Sequence, residues 1–308
     1  MSGRIIGVDV GGTKIAVATL DGQELSEPDV EPTDTSSTEA FLDQLVAMIE
    51  RQGEARAVGI AVPSVVDFAT GTARFSVNIP LARVPLRDVL GNRLDVPVFV
   101  DNDATCAALA EAWADPDDVP QVLVMLTIGT GVGGGIVLGG RIFRGATGAA
   151  AELGHQLVAA PLEHGAPPRP EAWPQAGSLE AEADGDAMSA LARERGFADG
   201  REAVAAAQAG DPKGVDAVRV LGERIGVGIA NAMHHLDPDM VVIGGGVSAA
   251  GELLLKPAED SARRLTLTGV GTKARIRLAR YGNNAGVRGA ALLARTEVLE
   301  RGEERISA

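Results

Sequence analysis

The stretch RIIGVDVGGTKIAVATL, residues 4–20, predicts two short strands joined by a tight bend. Residues 4–10 are apolar and rich in β-branched side chains, GGTK at 11–14 interrupts them, and residues 15–20 resume the apolar pattern. The pair Asp21-Gly22 that follows is typical of hairpin turns. We therefore expect the chain to open with a bent hairpin.

The same pattern returns about 120 residues later. Residues 121–128 are apolar, GTGVGGG occupies 129–135, and apolar residues follow at 136–138. Two strand–glycine turn–strand units in one chain predict an internal duplication. A third glycine run, 244–246, also follows an apolar stretch, and helical patterns separate these units. The sequence therefore predicts an α/β protein.

Length, composition and charge exclude several classes of protein. The 308 residues are 45% hydrophobic, which is enough for about two domains. Acidic residues outnumber basic ones by 42 to 28, and the net charge of −14 disfavours a nucleic-acid partner. No signal peptide or long apolar run is visible, so we expect a cytoplasmic protein with no membrane partner. The single cysteine, Cys106, excludes an intrachain disulfide and a site with several thiolates.

The three glycine turns point to a bound nucleotide. Glycine lets backbone N–H groups approach phosphate oxygens, and it adopts positive φ without strain. Residues 129–134 match the spacing of the dinucleotide fingerprint, but a strand follows them where that fingerprint requires a helix. The P-loop pattern is absent from the sequence. We therefore expect phosphate-binding turns outside both of those folds.

Asp9 ends the first strand, directly before the first glycine turn. Its carboxylate can hold Mg²⁺ or the water molecules around it, while the Thr13 hydroxyl and the backbone N–H groups of the turn contact phosphate. Lys14 can add positive charge beside the phosphate oxygens or remain a solvent-exposed side chain. These residues predict one half of a phosphate site.

Asp101, Asn102 and Asp103 open a helix after the strand at 96–100. We expect Asp101 to be the N-cap of that helix. Asp103 then lies in the first turn, where the helix dipole keeps its carboxylate ionised at neutral pH. Such a carboxylate can accept the proton of a hydroxyl group that attacks phosphorus.

Glu152 and His155 are three residues apart and share one face of a helical segment. A carboxylate and an imidazole together suit the hydroxyl groups of a sugar. Two other interpretations remain open at this stage, a solvent-facing pair and a metal site that includes His164.

In their order along the chain, these motifs resemble the ROK family of repressors, open reading frames and sugar kinases. The resemblance covers about residues 4–295. It implies an α/β, two-domain, actin-like ATPase (ribonuclease H-like) fold with a cleft between the domains. The implied domains are 1–115 plus 286–308 for the small one and 116–285 for the large one.

The resemblance also implies phosphorylation of a hexose at its 6-hydroxyl by ATP with Mg²⁺, and glucose is the expected hexose. Asp103 would be the catalytic base. The implied sugar-binding residues are Asn78, Asn102, Asp103, Glu152, His155 and Glu180. The implied residues for ATP are Asp9, Gly11, Gly12, Thr13, Lys14, Thr130, Gly131, Gly133, Gly245 and Gly246, with Asp9 also serving Mg²⁺.

Two departures from the family pattern stand out. Most members carry a three-cysteine zinc motif after the Gly-His pair, but residues 177–180 read GSLE here, so we expect no structural zinc. Packing must then hold the loop at 159–178. Ser64 also stands where family members commonly have glycine.

Several alternatives follow from the same residues. The enzyme alternatives are a fructokinase, a mannokinase, an N-acylhexosamine kinase and a polyphosphate glucokinase. A non-catalytic sugar sensor is the alternative from a different class. No helix-turn-helix precedes Asp9, so we expect no DNA binding, and the family suggests a homodimer.

Overall fold

The computed structural model describes residues 4–74, 79–160, 162–163 and 165–306, with only the helical backbone described from residue 300. The strands are β1 Ile5–Val10, β2 Lys14–Asp21, β3 Glu24–Leu25, β4 Asp29–Pro32, β5 Ala57–Val62, β6 Val66–Asp67, β7 Thr72–Ala73, β8 Val98–Asn102, β9 Val122–Ile128, β10 Val132–Leu138, β11 Arg141–Ile142, β12 Met240–Gly244 and β13 Arg275–Leu278. The α-helices are α1 Thr38–Glu50, α2 Leu86–Leu94, α3 Asp103–Ala112, α4 Leu179–Ala183, α5 Gly185–Glu194, α6 Gly200–Gln208, α7 Pro212–Leu236, α8 Glu252–Leu265 and α9 Ala285–Ile306. Short 3₁₀ helices cover Leu153–His155, Gly246–Ala250 and Gly282–Asn284.

The chain divides into two compact units. The first comprises Met1–Asp117, Gly140–Ala150 and Asn283–Ala308, and the second comprises Asp118–Gly139 and Ala151–Gly282. The sequence assigned residues 140–150 to the large domain, whereas the structure groups them with the first unit. Contacts with residues far away in the sequence explain this difference, because Trp113 Nε1 donates to the Gly140 carbonyl at 2.9 Å and Arg144 pairs with Asp101.

The two units repeat one sheet topology. In the first unit the order β2-β1-β5-β8 places β1 antiparallel to β2 and parallel to β5, which is parallel to β8. In the second unit the order β10-β9-β12-β13 has the same directions. The predicted internal duplication, with each half opening on a bent hairpin, is therefore confirmed.

Glycines bring α9 close to the sheet of the first unit. A Cβ at Gly7 in β1 or at Gly59 in β5 would overlap backbone oxygens of α9, and a Cβ at Gly289 in α9 would overlap the backbone of α3. Burying strands and helix at this distance explains why β1 and β5 are almost continuously apolar.

The core of the second unit forms around α7 and α8. A Cβ at Gly222 or Gly226 in α7 would overlap the backbone of α8, so the two helices also pack at close range. Asp211 caps the start of α7 by accepting from the N–H of Gly214 at 3.2 Å. Within the described part of the chain, no helix combines the length and apolar character needed to cross a membrane.

Candidate active site

The first predicted phosphate turn is held by one hydrogen bond within it and by two from Thr33. The Gly11 N–H donates to the Lys14 carbonyl at 2.8 Å. Thr33 donates from its hydroxyl to the Gly11 carbonyl at 2.7 Å and from its N–H to the Thr13 carbonyl at 3.1 Å. Gly12 is half-buried, while Thr13 and Lys14 are exposed at the turn. The turn is thus fixed in place with its cation and hydroxyl open to a ligand.

Asp9 lies beside this turn at the end of β1, with a half-buried carboxylate. A Cβ at Gly286, at the start of α9, would overlap that carboxylate. Burial and the negative charge of Asp103 raise the pKa of Asp9 to about 7, and Lys14 opposes this rise. The carboxylate borders a cavity of about 250 Å³ that Gly11, Lys14 and Glu27 also line. Asp9 is therefore placed to hold a cation beside the turn.

Asn102 is the N-cap of α3. Its side-chain oxygen accepts from the Thr105 N–H at 3.1 Å and from the Thr105 hydroxyl at 3.0 Å. Its amide nitrogen donates to the Ser64 carbonyl at 3.4 Å. The cap uses the oxygen of Asn102, so the amide N–H groups are what this side chain can offer to a sugar.

Asp101 is not the N-cap that the sequence predicted. Its buried carboxylate accepts from the Asn102 N–H at 2.9 Å and from Arg144 Nε at 2.7 Å. Burial raises the pKa of Asp101, and the Arg144 guanidinium opposes this shift. The prediction was one residue early because each of three consecutive polar residues could serve as a cap, and only the fold selects among them.

Asp103 begins α3 and is half-buried. Its carboxylate accepts from the Ala104 N–H at 2.8 Å, which holds the side chain at the helix N-terminus. Burial and nearby negative charges, that of Asp103 among them, raise the pKa of both Asp9 and the buried Cys106 thiol. The first unit therefore brings together the predicted base, the predicted cation ligand and the first phosphate turn.

The second glycine turn is fixed to the N-terminus of α5. The Gly129 N–H donates to the Gly131 carbonyl at 2.9 Å, and the Gly185 N–H of α5 donates to the Gly129 carbonyl at 2.8 Å. Glu180 accepts from the Val132 N–H at 2.7 Å, and a Cβ at Gly131 would overlap this carboxylate. Glu180, which the resemblance assigns to the sugar, thus also contacts the phosphate turn.

The third glycine turn needs glycine at Gly245. Its φ is +84°, and a Cβ there would overlap the Ile128 backbone. The Ser248 hydroxyl closes the turn by donating to the Gly245 carbonyl at 2.7 Å. The turn therefore packs directly against the end of β9, next to the second glycine turn.

A cavity of about 640 Å³ lies between these two turns, α5 and α6. Gly129 and Thr130 border it from the second turn, and Gly246 borders it from the third. Its other lining residues are Gly185, Asp186, Met188, Ser189, Asp199, Gly200, Arg201, Val204, Ala205, Gln208, Val247 and Ala249. This volume lies in the range of pockets that hold small-molecule ligands.

Glu152 and His155 share one face, as their spacing predicts. Glu152 precedes the 3₁₀ helix that ends at His155, and the two side chains are 3.8 Å apart between Oε2 and Nε2. The Trp173 ring packs edge-on against the imidazole, with centroids 5.1 Å apart. Nδ1 of His155 is buried without a hydrogen-bond partner in the described structure.

The described residues can be searched for the metal sites considered from the sequence. Among the described residues, no three His, Cys, Asp or Glu side chains cluster as metal ligands. Asn78 and His164, the remaining candidates from the sequence, lie outside the described residues. The absence of structural zinc stays a prediction.

Sequence reasoning missed Trp173 and Arg144. Trp173 belongs to the loop at 159–178, where no spacing links it to His155. Arg144 had one signal, because a carboxylate that directly follows a buried strand, as Asp101 does, requires a compensating cation. Nothing local identified which of the many arginines supplies it.

Comparison with known proteins places the chain in a family. The profile of the ROK family matches residues 5–297. The chain belongs to the ROK family. This ROK protein is 33% identical to a glucokinase of Halalkalibacterium halodurans over 97% of its own length and 98% of the relative. It is 35% identical to a glucokinase of Streptomyces coelicolor over 95% and 98% of the two chains.

Solved structures of ROK proteins are also similar. The ROK hexokinase of Thermus thermophilus has a TM-score of 0.81 and 36% identity, covering 96% of this chain and 99% of the other. A ROK family glucokinase from Streptomyces griseus, solved in complex with glucose and AMPPNP, has a TM-score of 0.78 and 32% identity over 95% and 99% of the two chains. The predicted α/β, actin-like fold class is confirmed.

Proposed function

We propose that this ROK protein transfers the terminal phosphoryl group of ATP to the 6-hydroxyl of a hexose, and that glucose is its preferred acceptor. The observation that carries this proposal is the cavity of about 640 Å³ bordered by two glycine turns. The glucokinase relatives, and the glucose and AMPPNP bound to the Streptomyces griseus enzyme, support the enzyme class and both substrates. The chain is accordingly a hexose kinase.

The lining of this cavity favours a nucleotide over polyphosphate as donor. Met188, Val204 and Val247 give it apolar walls suited to a purine ring. Arg201 is the only cation among the described lining residues, and Asp186 also borders the cavity. Because a long polyanion requires a basic channel, this lining and the net charge of −14 both support ATP.

The phosphates of ATP are assigned to the glycine turns. Backbone N–H groups at Gly11 and Gly12, and at Gly131 and Gly133, can donate to phosphate oxygens, because glycine allows close approach. The Lys14 ammonium adds a positive charge on the same turn as Gly11. Gly245 and Gly246 lie beside the adenosine in this arrangement.

Mg²⁺ fits the residues around Asp9. The ion is commonly held by one or two carboxylates together with substrate phosphates, and Asp9 offers a carboxylate that faces a cavity beside the first turn. When bound with ATP, Mg²⁺ neutralises charge on the phosphate oxygens. Asp9 would hold the ion or its water molecules.

Asp103 is proposed as the general base. As the sugar 6-oxygen forms its bond to the terminal phosphorus, the carboxylate accepts the hydroxyl proton and ADP leaves with the electrons of the broken P–O bond. The helix dipole of α3 favours the ionised carboxylate at this position. Phosphoryl transfer otherwise depends on positioning and charge neutralisation.

The sugar is assigned to Asn78, Asn102, Glu152, His155 and Glu180. Asn102 would donate from its amide, since its oxygen caps α3. One carboxylate oxygen of Glu180 accepts from the Val132 N–H, which leaves the other oxygen for a sugar hydroxyl. His155 would be oriented by Glu152 and Trp173.

A substrate panel tests the proposal. ADP release is measured with ATP and Mg²⁺ against glucose, fructose, mannose and N-acetylglucosamine, and polyphosphate serves as the rival donor. We expect the highest kcat/KM with glucose and ATP. N-acetylglucosamine is the main competitor, because a kinase for that sugar from Escherichia coli is 35% identical over 94% of this chain.

The remaining alternatives have distinct signatures in the same panel. Turnover with polyphosphate but not with ATP would contradict the donor assignment. Sugar binding by calorimetry without any ADP release would favour a non-catalytic sensor. The homodimer remains a proposal, which sedimentation velocity on the full chain would test.

A further inference from the structure

A buried carboxylate, paired with a half-buried arginine, lies next to the proposed base and has no role in the chemistry described above. Asp101 is 4% exposed, and Arg144 Nε donates to its Oδ2 at 2.7 Å. Both residues belong to the first unit, although the chain between them includes strands of the second. Removing Arg144 would leave the buried Asp101 carboxylate with only the smaller opposing effect of the Arg87 charge, which is costly for a buried group.

The pair is linked to the proposed base through a continuous set of contacts. The other oxygen of Asp101, Oδ1, accepts from the Asn102 N–H at 2.9 Å. The Asn102 side chain in turn caps α3 through Thr105, and Asp103 is the first residue of that helix. The guanidinium therefore fixes the carboxylate that holds the backbone directly before Asp103.

Arg144 is itself held from two further directions. Its guanidinium carbon lies 3.4 Å from the centroid of the Phe68 ring, and Nη2 donates to Glu297 of α9 at 3.3 Å. A planar guanidinium can make these contacts together, which a flexible ammonium group cannot reproduce. Arg144 thus connects α9, the Phe68 segment and the end of β8.

We propose that Arg144 is a positioning residue of the phosphoryl transfer, which acts through Asp101 to hold the junction of β8 and α3 and so the carboxylate of Asp103. This inference rests on the proposed role of Asp103 as base. It predicts that loss of Arg144 slows the chemical step while the substrates still bind.

The test compares Arg144→Met with Arg93→Met. Arg93 also pairs with two carboxylates, Glu39 and Asp43, which lie on the surface, and none of these three residues belongs to the proposed site. For each variant, kcat is measured with glucose and ATP, and calorimetry gives the dissociation constant and stoichiometry for glucose.

We expect Arg144→Met to lower kcat about 10- to 100-fold, the range reached when a reacting group is misplaced by about 1 Å. Glucose affinity should fall far less than kcat, with a stoichiometry still near one per chain, because the proposed sugar contacts of Glu152, His155 and Glu180 remain. Arg93→Met should keep the wild-type kcat. Equal kcat values for the two variants would overturn the inference. So would a fall in stoichiometry that matches the fall in kcat, since that result indicates only lost folded protein.

The double variant Asp101→Asn with Arg144→Met separates positioning from stability. Asp101→Asn removes the buried carboxylate charge that Arg144→Met leaves without its ion-pair partner, and it keeps an oxygen for the Asn102 N–H. We therefore expect the double variant to regain most of the Tm that Arg144→Met alone loses. It lacks the bond from Arg144, so kcat should stay low. Recovery of kcat together with Tm would overturn the inference.

Failure of the inference can be told apart from failure of the proposed function. A wild-type protein without hexose-dependent ADP release would contradict the function itself. A wild-type protein with normal turnover, together with a fully active Arg144→Met variant, would contradict only the positioning role.

Discussion

Asp9 and Asp103 lie at the ends of two strands of the same sheet, and the charge of Asp103 adds to the effect of burial in raising the pKa of Asp9. The positions of both carboxylates could be predicted, since Asp9 ends one apolar strand and Asp103 lies in the first turn of the helix that follows another. The effect of Asp103 on the pKa of Asp9 could not be predicted, because it depends on the pairing of β1 with β5 and of β5 with β8. The contact of Glu180 with the Val132 N–H also escaped prediction, because 48 residues separate the two.

The raised pKa of Asp9 predicts a pH-dependent effect on stability. The folded protein holds this proton up to a pH of about 7, whereas the unfolded chain releases it near the ordinary value of 3.8. The folded state binds more protons in between, so this contribution to stability is present below pH 3.8 and is lost as pH rises through 7. Asp9→Asn should therefore gain Tm relative to wild type as pH rises.

Thermal melts of the ligand-free protein at pH 5 and pH 8 measure this effect. We expect the difference in Tm between Asp9→Asn and wild type to be larger at pH 8. Asp117→Asn, at an exposed carboxylate, is the control and should give similar differences at both pH values. A difference for Asp9→Asn that shrinks toward pH 8 would show that its carboxylate is stabilised in ionised form.

Asp103→Asn tests the proposed role of Asp103 as the general base. The amide keeps the shape of the side chain but cannot accept the hydroxyl proton, so kcat should fall at least about 100-fold. Glucose binding by calorimetry should remain close to wild type. Turnover at the wild-type rate would remove Asp103 from the mechanism.

Strands and helices could be predicted closely where burial determines the pattern. The strands predicted at 4–10 and 121–128 each differ from β1 and β9 by one residue, and α3 follows β8 where the sequence predicted a helix. Fully buried strands read as continuous apolar runs, and long amphipathic helices repeat every 3.6 residues. The grouping of residues 140–150 could not be predicted, because it depends on the distant partners of Arg144.

Close packing of α9 on β5 predicts a large effect for a single methyl group. In Gly59→Ala the Cβ would overlap the Ala290 carbonyl, and because that atom is backbone the helix must move. We expect a loss of about 1–3 kcal/mol in the free energy of unfolding, as in other overpacked cores.

Gly129→Ala is the matched control for this substitution, because no atom lies within 4 Å of a Cβ there. Denaturant unfolding of the two variants without ligands should show a clear loss for Gly59→Ala and little change for Gly129→Ala. Equal stabilities would contradict the close approach of α9 and β5.

The cavity beside α6 gives a further prediction at this scale. Val204→Trp places a large ring in the proposed adenosine pocket, so the KM for ATP should rise about 10-fold or more, as expected when a pocket is filled. The dissociation constant for glucose, measured without nucleotide, should stay near wild type. An unchanged KM for ATP would place the nucleotide elsewhere.

At the scale of the whole molecule, the main feature is the sheet topology that the two units share. Each unit places a glycine turn after its first strand, and the sequence alone was enough to predict that repeat. Which sugar is bound could not be derived in this way, because specificity depends on one or two contacts to hydroxyl groups. The ROK relatives also differ in their sugar, since they include glucokinases and an N-acetylglucosamine kinase.

Identification of both products of one reaction tests the central claim most directly. The full chain is incubated with glucose, ATP and Mg²⁺, and the mixture is followed by ³¹P NMR. We predict that ADP and glucose 6-phosphate form in equal amounts, and that Asp103→Asn suppresses both. ADP accompanied by inorganic phosphate, or a phosphate on another carbon of the sugar, would contradict the account.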